Sequence, residues 1–257
     1  MSKPRCDSCG GRMFESSNTK KDSVVVFLKG GRIPSWYDLS PEEQDSYSVE
    51  HINLMRSIID KHKIIKLEGY KLFSPINAWQ FFWAIEFPTF EGAEAWINAE
   101  MEPPYGRYGS LNYYLARRIE HMEVHSAIKE SEQHPVINEN DLDHTNLEED
   151  KNSVVVITFE ISVPGSDLVN LDEGQRQKYI KNIYSVSKQH ELIRLEAYQL
   201  ITPQSNWRTT VITEFPTING AKAWIDLQED PSYIRFKTRT NYLSHKWAPR
   251  YFTKWIK

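Results

Sequence analysis

Cysteine is scarce in this chain: there are two in 257 residues, Cys6 and Cys9, and both lie in a single C-x-x-C. A disulfide framework joining distant segments is therefore excluded. Long apolar runs are missing as well, and nothing approaches the ~20 residues a helix needs to cross a bilayer. The opening MSKPRCDSCGG has no apolar stretch after its charges, unlike a secretory leader. A cytoplasmic location with no membrane partner is the expectation. Charge of one sign is lacking too, with 31 basic and 35 acidic residues and a pI near 6.1. Aromatic residues, by contrast, are abundant: 8 Trp, 13 Tyr and 11 Phe.

The chain repeats itself. EFPTFEGAEAWI, Glu86 to Ile97, returns as EFPTINGAKAWI, Glu214 to Ile225, with nine of twelve positions identical. His62–Trp79 aligns without a gap on His190–Trp207, and SVVV at Ser23 matches SVVV at Ser153. Asn112-Tyr113 matches Asn241-Tyr242. Such self-similarity marks an internal duplication. It divides the chain into an arm (1–22), a first repeat (23–118), a linker (119–152), a second repeat (153–247) and a tail (248–257).

Each copy has the same order of elements. SVVVFLK is a β-branched run that reads as a buried strand. Ser40-Pro41-Glu42-Glu43 combines a cap, a first-turn proline and a capping-box glutamate, so a helix runs from there to about His62. IIKLEGYKLF and AWQFFWAIEF are two strands joined by a turn at Pro75 and Asn77. Thr89 caps a second helix, and NYYLARR is a last strand. The order βαββαβ is the ferredoxin-like unit.

Alternation along the second strand gives each face a character. Leu67 and Gly69 suit helix packing, while Lys66, Glu68, Tyr70 and Leu72 share the opposite face. Their counterparts are Arg194, Glu196, Tyr198 and Leu200. The first strand is apolar on both faces, and in the third Trp79, Phe81, Trp83 and Ile85 share one face with Phe82 and Ala84 on the other. Strands apolar on both faces must be covered on both. The natural cover is the other copy's sheet. The fold class is α+β: tandem ferredoxin-like units packed sheet to sheet as a pseudo-dimeric α/β barrel.

That architecture, with the phrase EFPT-x-x-GA-x-AWI followed by a Tyr-containing strand, resembles the dimeric α/β-barrel superfamily over about 23–118 and 153–247. The resemblance implies a small-molecule ligand and, if the protein is an enzyme, a cofactor-independent monooxygenase, cyclase or isomerase acting on an aromatic or polyketide-like substrate. Glu68 and Glu196 are candidate general bases, with burial raising the carboxyl pKa; pairing with Lys66 or a base on a neighbouring strand is the alternative. His51, which aligns with Tyr179, is a candidate acid or base of copy one. Tyr70, Phe82, Trp83, Tyr198, Arg194 and Arg208 are the candidate substrate-binding residues. The superfamily's haem-degrading branch typically has an Asn on the first strand, which SVVVFLK lacks, so no cofactor is required and haem is not expected.

A non-catalytic binding or assembly protein would use the same surfaces; an enclosed pocket favours the enzyme and a filled barrel its alternative. The RNA-recognition motif has the same element order, but QFFWAIEF matches its aromatic strand only in part, and nucleic acid is not an expected partner. A homodimer of the whole chain is allowed. The linker carries ten acidic residues against Lys129 and Lys151, and the stretch from Arg235 to Lys257 has seven bases and no acid. Cys6 and Cys9 could share a zinc ion with His121 and His125 of the linker, since both chain segments leave the sheet at the same end.

Overall fold

The computed structural model describes residues 23–76, 79–119, 150–162, 173–201, 206–231 and 237–248. In repeat one, β1 (Val24–Arg32) leads through a short helix α1 (Pro34–Tyr37) to α2 (Pro41–His62), β2 (Lys66–Ile76), β3 (Trp79–Phe87), α3 (Phe90–Met101) and β4 (Gly109–Arg118). Repeat two follows with β5 (Asp150–Ser162), α4 (Glu173–Gln189), β6 (Arg194–Leu200), β7 (Thr209–Phe215), α5 (Ile218–Glu229) and β8 (Lys237–Lys246).

The expected helix start is present in full. Ser40 Oγ accepts from Glu43 N at 3.2 Å while Ser40 N donates to Glu43 Oε2 at 2.9 Å. The repeated phrase also has a physical explanation. Thr89 and Thr217 cap α3 and α5, each accepting from a glycine N–H at 3.3 Å. Those glycines, Gly92 and Gly220, leave room for an aromatic ring: an added Cβ would lie 2.8 Å from Phe87 and 2.9 Å from Phe215 respectively. The phrase fixes how each second helix sits on its sheet.

The eight strands close into one barrel in the order β1-β3-β2-β8-β5-β7-β6-β4. Each repeat supplies four strands, and two short seams join them. Tyr70–Leu72 pair with Ser244–Lys246, and Ala116–Arg118 with Tyr198–Leu200. Val25, Phe27, Tyr70 and Phe82 meet Val155, Ile157, Phe159 and Tyr198 inside the barrel. Val24, Val26, Leu28 and Leu67 face outward under α2 and α3, and repeat two builds the same layer under its own helices. No helix among the described residues is long and apolar enough to cross a membrane.

Two sequence expectations are corrected in detail. Phe27 pairs with Tyr114, and its counterpart Ile157 pairs with Tyr242, so Tyr114 rather than Tyr113 is the equivalent of Tyr242. Trp79 does not share an environment with Phe81. Phe81 stacks on Trp247 outside the barrel, whereas Trp79 folds over the barrel's end toward Tyr242, beside an irregularity in β2 between Lys71 and Ile76.

Candidate functional site

Most of the residues singled out from sequence fall in two places: the inside of the barrel, and the cleft between the sheet of repeat one and its helices.

Inside, β2 and β6 bring their charged residues together across the repeats. Lys66 Nζ donates to both Glu196 oxygens at 2.8 and 3.0 Å, and Arg194 Nη1 to both Glu68 oxygens at 2.6 and 2.8 Å. Arg118, at the end of β4, bridges Glu196 at 2.9 Å and Glu86 at 3.0 Å. Its counterpart Lys246 lies 2.7 Å from Glu214. Arg194 Nε faces Glu214 Oε2 at 3.3 Å, a charge contact without hydrogen-bond geometry. The tyrosines close the network: Tyr70 Oη donates to Glu68 at 2.5 Å and Tyr198 Oη to Glu196 at 2.8 Å.

The rise in carboxyl pKa expected from burial does not occur. Burial alone would raise Glu68, but Arg194 and Lys66 outweigh it and hold the group at about 2. Burial is likewise outweighed at Glu196, where Lys66, Arg194 and Arg118 keep the carboxyl well below its usual range. Burial pushes both phenols, Tyr70 and Tyr198, well above theirs. Carboxylates held this low are weak proton acceptors near neutral pH. Next to this ionic end the barrel is packed with rings: Phe27 meets Tyr198 edge-on at 4.9 Å and Phe82 at 5.3 Å.

The cleft of repeat one differs. Leu28, Gly30, Trp83 and Leu111 of the sheet face His51 of α2 and Glu100 of α3 around a cavity of about 70 Å³. His51 is only 4 % exposed, and its Nε2 lies 3.3 Å from Glu100 Oε2. Its ring stacks on Tyr105 at 3.9 Å and 14°. Tyr105 in turn carries the Arg32 guanidinium on its ring, 3.5 Å from the centroid, and Arg32 lines the same cavity. Phe81 and Trp247 form a stacked wall at 4.1 Å.

Repeat two places paired charged side chains in the same region. In place of Gly30 it has Glu160, which pairs with Lys237 and with Arg239 at 3.1 Å, while Arg239 also donates to the Gln228 carbonyl at 2.8 Å. Burial would raise Glu160, but these two cations outweigh it and lower its pKa. Gln228 stands where repeat one has Glu100, and Tyr179 where it has His51.

The residues singled out from sequence therefore separate. Glu68, Glu196, Tyr70, Tyr198, Arg194 and Phe82 gather in the barrel. His51 and Trp83 meet at the cleft. Arg208 stands apart and exposed, its backbone N–H donating to the Glu160 carbonyl at 2.9 Å. Cys6, Cys9, His121 and His125 lie outside the described residues, and among the described residues no three metal-ligating side chains converge. Arg32, Glu100 and Tyr105 were missed by sequence reasoning. The one available signal was the i, i+4 spacing of Trp96 and Glu100 on α3.

No protein-family model and no curated protein matches the sequence. Solved structures do. A mutant of chlorite dismutase from Candidatus Nitrospira defluvii superposes with a TM-score of 0.64 at 13% identity, covering 90% of this chain and 93% of that one. The same protein in complex with imidazole gives 0.61 at 12% identity, with the same coverage of both chains. A novel heme-binding protein from Thermus thermophilus gives 0.58 at 8% identity, over 91% of this chain and 94% of that one. These neighbours overturn the expectation that no cofactor is required and that haem is out of place, because the shared fold includes a haem binder. The donor chemistry in repeat one suits that group: a buried imidazole with a carboxylate beside it, aromatic walls and a guanidinium. This chain has the fold of the dimeric α/β-barrel superfamily, with two ferredoxin-like units fused in tandem.

Proposed function

We propose that this protein binds a planar, carboxylate-bearing small molecule in the cleft of repeat one, and that haem is the first member of that class to test. One observation carries the reading. The two repeats share a backbone plan, yet repeat two plugs its cleft with Glu160, Lys237 and Arg239, while repeat one leaves a hollow between His51, Glu100, Arg32 and Trp83. One neighbour of the same fold is named as heme-binding, which supports haem as the member to test first.

In this reading His51 would supply the nitrogen for an iron, Arg32 would pair with a carboxylate, and Phe81, Trp83 and Trp247 would cover the planar face. A bound haem would supply one-electron and oxygen chemistry. A cavity of about 70 Å³ is well below the roughly 300 Å³ at which small-molecule pockets begin, so uptake displaces one or more of the aromatic walls. Glu100 competes with any metal for His51 Nε2 and, once displaced, remains as a proton acceptor in the site.

The His51–Glu100 contact also favours a second reading, proton transfer on an aromatic substrate by an oxygenase, cyclase or isomerase. The packed barrel argues for locating either activity in the cleft, with Glu68 and Glu196 acting as ties between the repeats. Native mass spectrometry of the untagged protein, before and after mixing with haem, tests the binding. One retained haem per chain supports it. No retained species at any ratio would overturn the haem reading and leave the acid–base one.

A further inference from the structure

Lys29 places a positive charge in the mostly apolar lining at the barrel's aromatic end. It follows Val25 and Phe27 on the inward face of β1, and it is 5 % exposed. Its Nζ lies 3.2 Å from the centroid of the Trp79 ring, and 5.2, 5.1 and 5.8 Å from the rings of Tyr114, Phe159 and Tyr242. Those four rings come from β3, β4, β5 and β8, so both repeats build the surround. Among the described residues no carboxylate pairs with the ammonium. In repeat two the equivalent position is Phe159, which shows that the barrel packs an apolar side chain there without difficulty.

Aromatic faces stabilise a cation by about 0.5–2 kcal/mol, while leaving a buried ammonium unpaired costs more than that. The site therefore retains a lysine where packing alone would favour phenylalanine. Burial lowers its pKa to about 8, which leaves a substantial neutral fraction near physiological pH. The titratable groups facing it, Tyr114 and Tyr242, are both raised by burial and stay uncharged. Trp79, Tyr114 and Tyr242 are only partly buried, so the amine sits behind a thin aromatic cover and not in the deep core.

We propose that Lys29 is an imine-forming amine that captures an aromatic aldehyde or ketone at the aromatic end of the barrel. The neutral Nζ adds to the carbonyl carbon and forms a C–N bond. The carbonyl oxygen then leaves as water with the two amine hydrogens, and a C=N bond remains. No oxidant or reductant takes part. The rings that surround the ammonium would flank the substrate's own ring. This site is separate from the cleft of repeat one, and neither depends on the other.

The test is reductive trapping in the full chain with benzaldehyde and cyanoborohydride at pH 7.5, followed by peptide mapping of the labelled lysines. Lys29 should be labelled at least about tenfold faster than exposed Lys222, because burial lowers the Lys29 pKa to about 8 and leaves more of its amine free. Acetaldehyde, which has no ring, should keep the part of that preference that comes from the free amine and lose the part that comes from the aromatic surround. Lys29→Arg keeps the cation and should abolish the fast site alone. Labelling of Lys29 no faster than Lys222 in the wild-type protein would overturn the proposal, whatever the variant does, and would leave Lys29 as a plug held by cation–π contacts.

Discussion

Arg194 of the second repeat holds Glu68 of the first, with Nη1 2.6 Å from Oε1, and the reciprocal tie runs from Lys66 of the first to Glu196 of the second. The repeats are thus joined at the ionic end of the barrel by ion pairs crossing a pseudo-twofold relation. Burial makes the attraction strong and also makes each member costly to leave alone. Glu68→Gln should destabilise the protein by about 3 kcal/mol because Arg194 keeps its charge and loses its main partner. Urea unfolding at pH 7 measures this. A loss within error of zero would mean that the cluster is too well hydrated to tie the repeats.

The same cluster sets an acid limit. Glu68 titrates at about 2 in the fold and Glu196 well below its ordinary value, against ~4.3 for an unfolded glutamate. As pH falls, the unfolded chain therefore takes up protons first. The stabilisation is complete above about pH 5 and is lost progressively from there down toward pH 2. Urea melts at pH 7, 5 and 3 should show this slope in the wild type and a shallower one in Glu68→Gln. Parallel slopes would assign the acid sensitivity elsewhere.

Gly69 records how the tail of repeat two docks on repeat one. An added Cβ there would lie 2.5 Å from the Trp247 carbonyl and 2.9 Å from the Trp83 ring, while Trp247 N donates to the Gly69 carbonyl at 2.8 Å. Gly69→Ala should cost about 1–3 kcal/mol and shift tryptophan emission as Trp247 leaves Phe81. In repeat two the same position is already Ala197, which accepts from Ile119 N at 2.8 Å, so Ala197→Gly should not alter Trp247.

The start of α2 is a local device. Removing the Ser40 hydroxyl leaves the Glu43 N–H without its cap, and Ser40→Ala should lower stability by about 1 kcal/mol. Thermal melting checks this. No change would show that water replaces the cap at no cost.

Much of the architecture was legible in the sequence because its causes are local. Ser40 and Thr89 announce their helices within four residues, and alternation in KLEGY separates Leu67 from Glu68 and Tyr70. The duplicated phrase showed that two sheets existed to cover each other. The site was less legible because its parts meet only in three dimensions. Glu100 and His51 lie on different helices, and Arg32 reaches the cleft through a ring stack with Tyr105. Lys29 looks like the polar end of a strand until rings from four strands close around it. The strand pattern left two readings of Glu68 open, a carboxyl raised by burial or one paired with a base, because Arg194, the cation that decides for pairing, comes from the other repeat.

The most direct test of the central claim, a ligand site in repeat one and not in repeat two, is haem titration followed by Soret absorbance in a matched pair of variants. His51→Ala should weaken binding at least about tenfold and move the Soret band, as loss of the nitrogen that would hold the iron predicts, while Tyr179→Ala at the equivalent position in repeat two leaves both unchanged. The reverse order, or identical saturable binding in both variants and the wild type, would contradict the assignment of the site to the His51 cleft.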